Sequence, residues 1–369
     1  MEQFRCGTII KTHRKKQGLS QGQLAAAMAV TKGAVSKWET GQSLPDITLL
    51  PTLANYFGVT IDALLGFDPQ LSQVEIQTLY RTYCRQFATE PLQQVMAAVQ
   101  QTISNYYGCM PLLLQLGILI VNHAPLASEP TEQQQMIMQA QQLFERVEKH
   151  TTEVALLQQT EMMLSYCAMA LGEPATALAL IKPNHRLILP VEIIKANAQL
   201  RLGQTEEAYE TIQVSAYQYI LNFIGLVPTM LTLAASDRAK VKRTVTTVEA
   251  VSATFGLNEM HPAIMLPIYV TAAQSYVRLE ATDDALAALQ KYVALVETMH
   301  FPLELQGNDF FDGISDWLTT LDLGTQVPRD SAVIKASLLE TVLQSPFDTL
   351  AHRADYQQLI SQLKQKVEE

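Results

Sequence analysis

The residues of this chain best suited to recognising another molecule stand between Gln21 and Thr40. Within LSQGQLAAAMAVTKGAVSKWETG, residues 19–41, Thr31 can cap a helix on which Val35 and Trp38 form an apolar pair one turn apart. Lys32, Gly33, Ser36, Lys37 and Thr40 then share the opposite face. Small, polar and basic groups on one helix face are what a DNA major groove accepts, because lysine can donate to guanine O6 and N7 while hydroxyls reach phosphates. The preceding helix opens at Gln21, with Ser20 as N-cap and Gln23 at the capping-box position. Leu24, Ala25 and Met28 mark its buried side at helical spacing, and Gly41 stops the second helix.

Gln21, Leu24-Ala25, Val30, Val35-Ser36, Trp38-Glu39, Gly41 and Pro45 together resemble the helix-turn-helix of phage-repressor-like regulators of the xenobiotic-response-element class. The resemblance extends over roughly residues 5 to 66, through Ile10, Arg14 and Gly18-Leu19 before the motif and Leu53-Ala54, Phe57-Gly58-Val59 and Asp62-Leu64-Leu65 after it. It implies that Gln21 contacts a phosphate and braces the recognition helix. It also implies that Lys32, Gly33 and Lys37 face base edges, with Thr31, Ser36 and Thr40 nearer phosphates. One position departs from the family pattern: Ala29 stands where the turn usually has glycine. A positive φ there costs a residue with a Cβ about 1 kcal/mol or more.

Seven Lys/Arg (Arg5, Lys11, Arg14, Lys15, Lys16, Lys32, Lys37) face four acids (Glu2, Glu39, Asp46, Asp62) in residues 1–66. The whole chain holds 26 Lys/Arg and 36 Asp/Glu, so its excess of acid lies beyond residue 66. A basic head on an acidic body suits a molecule that places only its head against phosphate.

With 48% hydrophobic and 17% charged residues the 369-residue chain has ample core for two domains, and 3.6-residue periodicity dominates it. The expected fold is all-α: a five-helix helix-turn-helix domain (1–66), a hinge (67–71) around Gly66-Phe67-Asp68-Pro69, and a tetratricopeptide-like α-solenoid (72–369). In the head, residues 5–17 should form the first helix, with Ile9 and Ile10 inward and Lys11, Arg14 and Lys15 outward. The repeats show where Leu171-Gly172, Leu202-Gly203 and Leu279-Glu280 align. Seven residues before each turn position stands a small residue (Ser165, Ala196, Ala273), five after it an alanine (Ala177, Ala208, Ala285), and nine after it an aliphatic residue (Ile181, Ile212, Leu289). Small residues facing each other let antiparallel helices pack closely. Degenerate hairpins are expected over 73–107, 110–149 and, split near Ala235, 217–255. Residues 302–328 read as looser and 331–367 as capping helices.

Catalytic chemistry finds no support. The histidines (His13, His123, His150, His185, His261, His300, His352) form no metal-ligand spacing, the sequence holds no P-loop, GxGxxG or HExxH, and no cofactor is implied. Asp283-Asp284 and Glu206-Glu207 fall in first helical turns, where acidic charge meets the helix dipole. Cys6, Cys84, Cys109 and Cys167 lack zinc or redox spacing and read as free thiols of a reducing compartment. No signal-peptide pattern opens the chain, and the apolar run from Met110 to Val121 is too short to cross a bilayer. A cytoplasmic protein is expected.

In such a solenoid the first helix of each hairpin lines a groove. Six residues before the three turns stand Tyr166, Asn197 and Gln274; two before stand Ala170, Arg201 and Arg278; ten before stand Met162, Ile193 and Val270. These rows offer amides for a peptide backbone, cations for a carboxylate and apolar pockets, so Tyr166, Asn197, Arg201, Gln274 and Arg278 are candidate ligand contacts. The layout resembles the pheromone-responsive regulators of Gram-positive bacteria, whose repeat domain dimerises and binds a short imported peptide. That resemblance implies a homodimer on a pseudo-palindromic double-stranded DNA operator. The alternative is a regulator or scaffold whose repeats dock a protein partner, with no small ligand.

Overall fold

The computed structural model describes residues 5–66, 70–181 and 190–368. Among these the regular structure is helical, apart from an isolated antiparallel bridge between Glu304 and Gln326, so the all-α expectation holds. Hinge residues 67–69 and His185 lie outside the described residues. Two compact units emerge: residues up to Ser72 with Tyr106–Cys109, and Gln73–Asn105 with the chain from Met110 onward.

The first unit holds α1 (Cys6–Lys16), α2 (Gln21–Ala27), α3 (Lys32–Glu39), α4 (Leu50–Phe57) and α5 (Ile61–Leu65), with a 3-10 turn at Ile47–Leu49 leading into α4. Its helix starts are capped as the sequence requires. Ser20 Oγ accepts from Gln23 N at 3.2 Å while Gln23 Oε1 accepts from Ser20 N at 2.8 Å, and Thr31 and Thr60 each accept the N–H three residues on. Ile10, Leu24, Val35, Leu53 and Leu64 are fully buried together, each worth about 1.5–3 kcal/mol of removed apolar surface.

The second unit runs through α6 (Gln73–Thr89), α7 (Leu92–Asn105), α8 (Met110–His123), α9 (Pro130–His150), α10 (Val154–Ala170), α11 (Pro174–Leu180), α12 (Val191–Arg201) and α13 (Thr205–Leu233). It continues with α14 (Arg238–Phe255), α15 (Leu257–Met260), α16 (Leu266–Arg278), α17 (Thr282–Glu297), α18 (Ser315–Thr320), α19 (Ser331–Leu343) and α20 (Ala354–Glu368). Successive helices pack as hairpins, α8 on α9, α10 on α11, α12 on α13 and α16 on α17, and α19 returns to pack on α6.

The three aligned turns share one backbone. Gly172, Gly203 and Glu280 have φ of +78°, +78° and +52°, and the next residue donates its N–H to the carbonyl five residues earlier at 2.8, 2.9 and 2.9 Å. This is the helix-ending bond pattern that a left-handed residue makes possible. Ser165, Ala196 and Ala273 are buried, as are Ala177, Ala208 and Ala285, so all three hairpins keep both small-residue positions out of solvent. The aliphatic position differs. Leu289 is buried, but Ile181 and Ile212 are exposed, because α11 ends at Leu180 and α13 turns Ile212 outward.

The expected hairpin over 217–255 is corrected at its first half. Residues 217–233 are not a new helix but the continuation of α13, which runs unbroken for 29 residues. Nothing between Thr211 and Gly225 breaks a helix, and Pro228 inside it removes one donor without stopping it. Tyr217, Ile224, Val227 and Leu231 pack into the unit's core. A second stripe, Ile212, Tyr219, Phe223, Leu226, Met230 and Leu233, stays exposed. By length and composition α13 is also apolar enough to cross a bilayer, which the Met110–Val121 estimate did not anticipate.

Candidate functional site

Helix α3 is placed by contacts on its inner side. Val35 and Trp38 are buried against α1 and α2, and Gly7 of α1 lies so close that a Cβ there would sit 1.9 Å from the Trp38 carbonyl oxygen. Gly7 is therefore a positioning residue for the recognition helix, a role that no local residue pattern signals. The C-terminal end of α3 is clamped by charge. Arg14 binds Glu39 through both guanidinium arms, Nε to Oε1 at 2.5 Å and Nη2 to Oε2 at 2.9 Å, and Nη1 donates to the Leu19 carbonyl at 2.6 Å. Hydrogen bonding from Arg14 holds the Glu39 carboxyl below the usual carboxylate range and raises the guanidinium in turn. Arg14, expected outward, is thus a buried brace and is not available to phosphate.

Gln21 joins this clamp, its Nε2 donating to Glu39 Oε2 at 3.0 Å. Bracing of α3 by Gln21 is therefore visible in the geometry. On the other side of α3, Lys32, Gly33 and Lys37 are exposed, and a Cβ at Gly33 would meet only Thr31 Oγ1 at 3.8 Å. Thr31 Oγ1 caps Ala34, Ser36 is half-buried, and Thr40 Oγ1 bonds back to the carbonyls of Ser36 and Lys37 at 2.9 and 3.2 Å. The expected DNA-facing set, Gln21 apart, thus lies along one short helix with two free-standing cations a turn and a half apart. Ala29 holds φ of +56° in the α2–α3 turn, the strained value its position implies.

The candidate ligand row is not brought together. Tyr166 and Met162 line an apolar cleft of about 770 Å³ between α10 and α11. Gln274 and Val270 line a separate cleft of about 600 Å³ with Thr271, Ser337 and Arg329. Asn197 is exposed with its Nδ2 donating to the Ile193 carbonyl of its own helix at 2.8 Å, and Arg201 and Arg278 are exposed at helix ends. Equal register in three hairpins puts these residues on equivalent helix faces without focusing them on one point.

His123 is a core histidine. Its ring stacks on Phe87 with centroids 4.3 Å apart, Nδ1 lies 2.8 Å from the Leu119 carbonyl, and burial pushes its pKa down to about 4. The carboxylate pairs open α13 and α17 as expected, Asp284 pairing with Arg238. All four cysteines are buried free thiols.

The first unit defines a class: a compact helix-turn-helix head with a polar, basic recognition face. The helix-turn-helix family profile matches residues 10–64. The HTH-type transcriptional activator BcrR of Enterococcus faecalis is 36% identical over 64 residues, which are 17% of this chain and 31% of that protein. The SPbeta prophage-derived uncharacterized HTH-type transcriptional regulator YonR of Bacillus subtilis strain 168 is 30% identical over 95 residues, 24% of this chain and 88% of that protein. The chain belongs to the helix-turn-helix family of transcriptional regulators. It matches under a third of the length of the Enterococcus relative. Among solved structures, apo ComR from Streptococcus vestibularis is 13% identical with a TM-score of 0.23, covering 81% of this chain and 93% of that one. Bacillus thuringiensis PlcR in complex with the peptide PapR7 and DNA is 12% identical with a TM-score of 0.20, covering 99% and 95%. Superpositions of that quality place no residue.

Proposed function

We propose that this chain is a cytoplasmic transcriptional regulator that binds double-stranded DNA through residues 1–66 and senses a short linear peptide through a repeat domain spanning 72–369. The observation that carries the DNA reading is the clamped α3, whose Lys32 and Lys37 are held outward while Arg14, Gln21 and Glu39 fix the helix behind them. Thr31, Gly33, Ser36 and Thr40 complete the face. The sensing reading is supported by stacked hairpins with open clefts at Tyr166 and Gln274. Asn197, Arg201 and Arg278 are exposed, line neither cleft, and are proposed as further polar contacts of the peptide.

We also infer a homodimer. From Tyr219 to Leu233 the exposed stripe of α13 repeats at alternating steps of four and three residues, with Ile212 seven residues before it, the spacing of a helix that pairs with a helix. No Asp, Glu, Lys or Arg occurs between Glu210 and Asp237, so a second copy of the same stripe is a matched partner. Residues packed in the core anchor the opposite side of α13 to its own unit, which favours this reading over a membrane span.

Selection of DNA fragments by the purified protein, with and without peptides from culture supernatant, tests both halves. A common operator that is lost in the Lys32→Ala/Lys37→Ala double variant is expected, with affinity lowered by about 1–3 kcal/mol for each lysine that reads a base. Unchanged selection by the double variant would sink the DNA assignment. An operator response that survives removal of both Asn197 and Arg201 would exclude that row as the sensor.

A further inference from the structure

Between α18 and α19 the chain leaves helix, and Thr320–Pro328 lies along α6. The contacts are of one kind. Gln73 Nε2 donates to the Thr320 carbonyl at 2.7 Å, Gln77 Nε2 to the Leu321 carbonyl at 2.9 Å, and Arg81 Nη2 to the Leu323 carbonyl at 3.3 Å. These three residues are spaced by four, so they form one stripe of donors down a single helix face. Tyr80 and Cys84, on an adjacent line of the same helix, both reach the Pro328 carbonyl, at 3.4 and 3.2 Å. From two further helices, Gln115 of α8 and Gln159 of α10 converge on one acceptor, Asp322 Oδ2, at 2.9 and 3.2 Å.

This is the chemistry by which a groove recognises a linear peptide: side-chain amides take backbone carbonyls, and convergent donors take a carboxylate. Gln115 is the sharpest case, a polar side chain only 6% exposed in a helix whose other buried residues are mostly Leu, Ile and Val, with its amide aimed at Asp322. A buried amide in an apolar helix is costly unless a partner arrives, and here the partner is supplied from more than two hundred residues away. The segment does not fill its seat. A cavity of about 290 Å³ remains between α6 and the strap, lined by Arg81, Arg85, Leu323 and Arg329.

We propose that Gln73, Gln77, Arg81, Gln115 and Gln159 form a binding site for an external linear peptide bearing an acidic residue, and that Thr320–Pro328 is an internal stand-in that closes the site until such a peptide displaces it. This rests on the reading that the repeat domain senses a peptide, and it places the recognition on α6, α8 and α10. A tethered competitor acts at an effective concentration in the millimolar range, so an external peptide wins only when it binds better than the strap or when the strap is weakened.

The test uses the full chain and a fluorescent synthetic peptide of residues 319–328, TTLDLGTQVP. Wild type should bind it weakly, and Asp322→Ala should lower the apparent Kd at least tenfold, because the strap loses the acceptor shared by Gln115 and Gln159 while the peptide keeps it. Adding Gln159→Ala to the Asp322→Ala chain should reverse the gain, and a peptide with Ala at its fourth position should bind the Asp322→Ala chain no better than the unaltered peptide binds wild type. Hydrogen exchange should quicken across 319–327 in Asp322→Ala with α16 and α17 unchanged, which separates release of the strap from general unfolding. Equal affinity of wild type and Asp322→Ala, or a gain that survives Gln159→Ala, overturns the proposal. Operator response of the wild-type chain to supernatant peptides is a separate readout: if it persists while the strap test fails, peptide sensing stands and this site does not.

Discussion

At the level of single residues the head carries a strain that is cheap to remove. Ala29 holds a φ of +56° in the turn that sets the angle between α2 and α3, and it is exposed, so a smaller side chain leaves no cavity. Ala29→Gly relieves about 1 kcal/mol of left-handed strain and gives back part of it in unfolded-chain entropy. Amide exchange in α2 and α3 of the glycine variant should slow up to about fivefold. Faster exchange would mean that the entropy term dominates. His123 makes the opposite kind of statement. Its Nδ1 meets a carbonyl and its Nε2 has no acceptor among the described residues, so a proton added at Nε2 would be buried without a partner. With the folded pKa near 4 and the ordinary value at 6.5, the unfolded chain binds more protons between them. Stability contributed by the neutral ring is thus complete above about pH 6.5 and falls as pH drops toward 4, by about 3 kcal/mol in all. Chemical denaturation at pH 6.5 and 4.5 should show this loss in the wild type and a smaller one in His123→Leu.

At the level of elements, α13 combines two faces, one packed in its own unit and one exposed, and the exposed face is the dimer seam proposed above. Leu226 is 61% exposed at the middle of that seam. Leu226→Glu places a charge at the centre of the stripe without touching Ile224 or Val227 in the core. Sedimentation of the full chain should shift from dimer to monomer at micromolar concentration with the helical signal retained, and a wild type that sediments as a monomer removes the seam. How far elements were legible in the sequence follows from what signals them. Caps at Ser20 and Thr31 and the turns at Gly172, Gly203 and Glu280 are local chemistry, and each lies where the residues place it. The continuity of α13 was not legible, since a repeat pattern suggested a break and only the absence of breakers argued against it. Arg14 looked like a surface cation because a helical wheel shows a face but not the carboxylate of Glu39 waiting on another helix. Gln73, Gln77 and Arg81 have helical spacing, but nothing in it marks a binding face until the segment they hold, over two hundred residues on, is placed against it.

At the level of the whole molecule, the two proposals about DNA and dimerisation constrain each other. Of the seven basic residues in 1–66, Arg14 is committed to Glu39, which leaves Arg5, Lys11, Lys15, Lys16, Lys32 and Lys37 for phosphates and bases. Few of these can reach one half-site together, so a lone head has a shallow salt dependence and weak affinity. Two heads on one dimer double the phosphate count, and once the first is bound the second acts at high effective concentration. The monomerising Leu226→Glu change lies far outside the head's sequence and leaves Lys32 and Lys37 intact, so any change in DNA binding must come through assembly. Measured on the selected operator at several salt concentrations, its affinity should fall by about 10²-fold or more, and the slope of log K against log salt should drop to about half the wild-type value. A variant that is monomeric in sedimentation yet keeps both the affinity and the slope would show that one head suffices, and the operator would then need no two-fold symmetry.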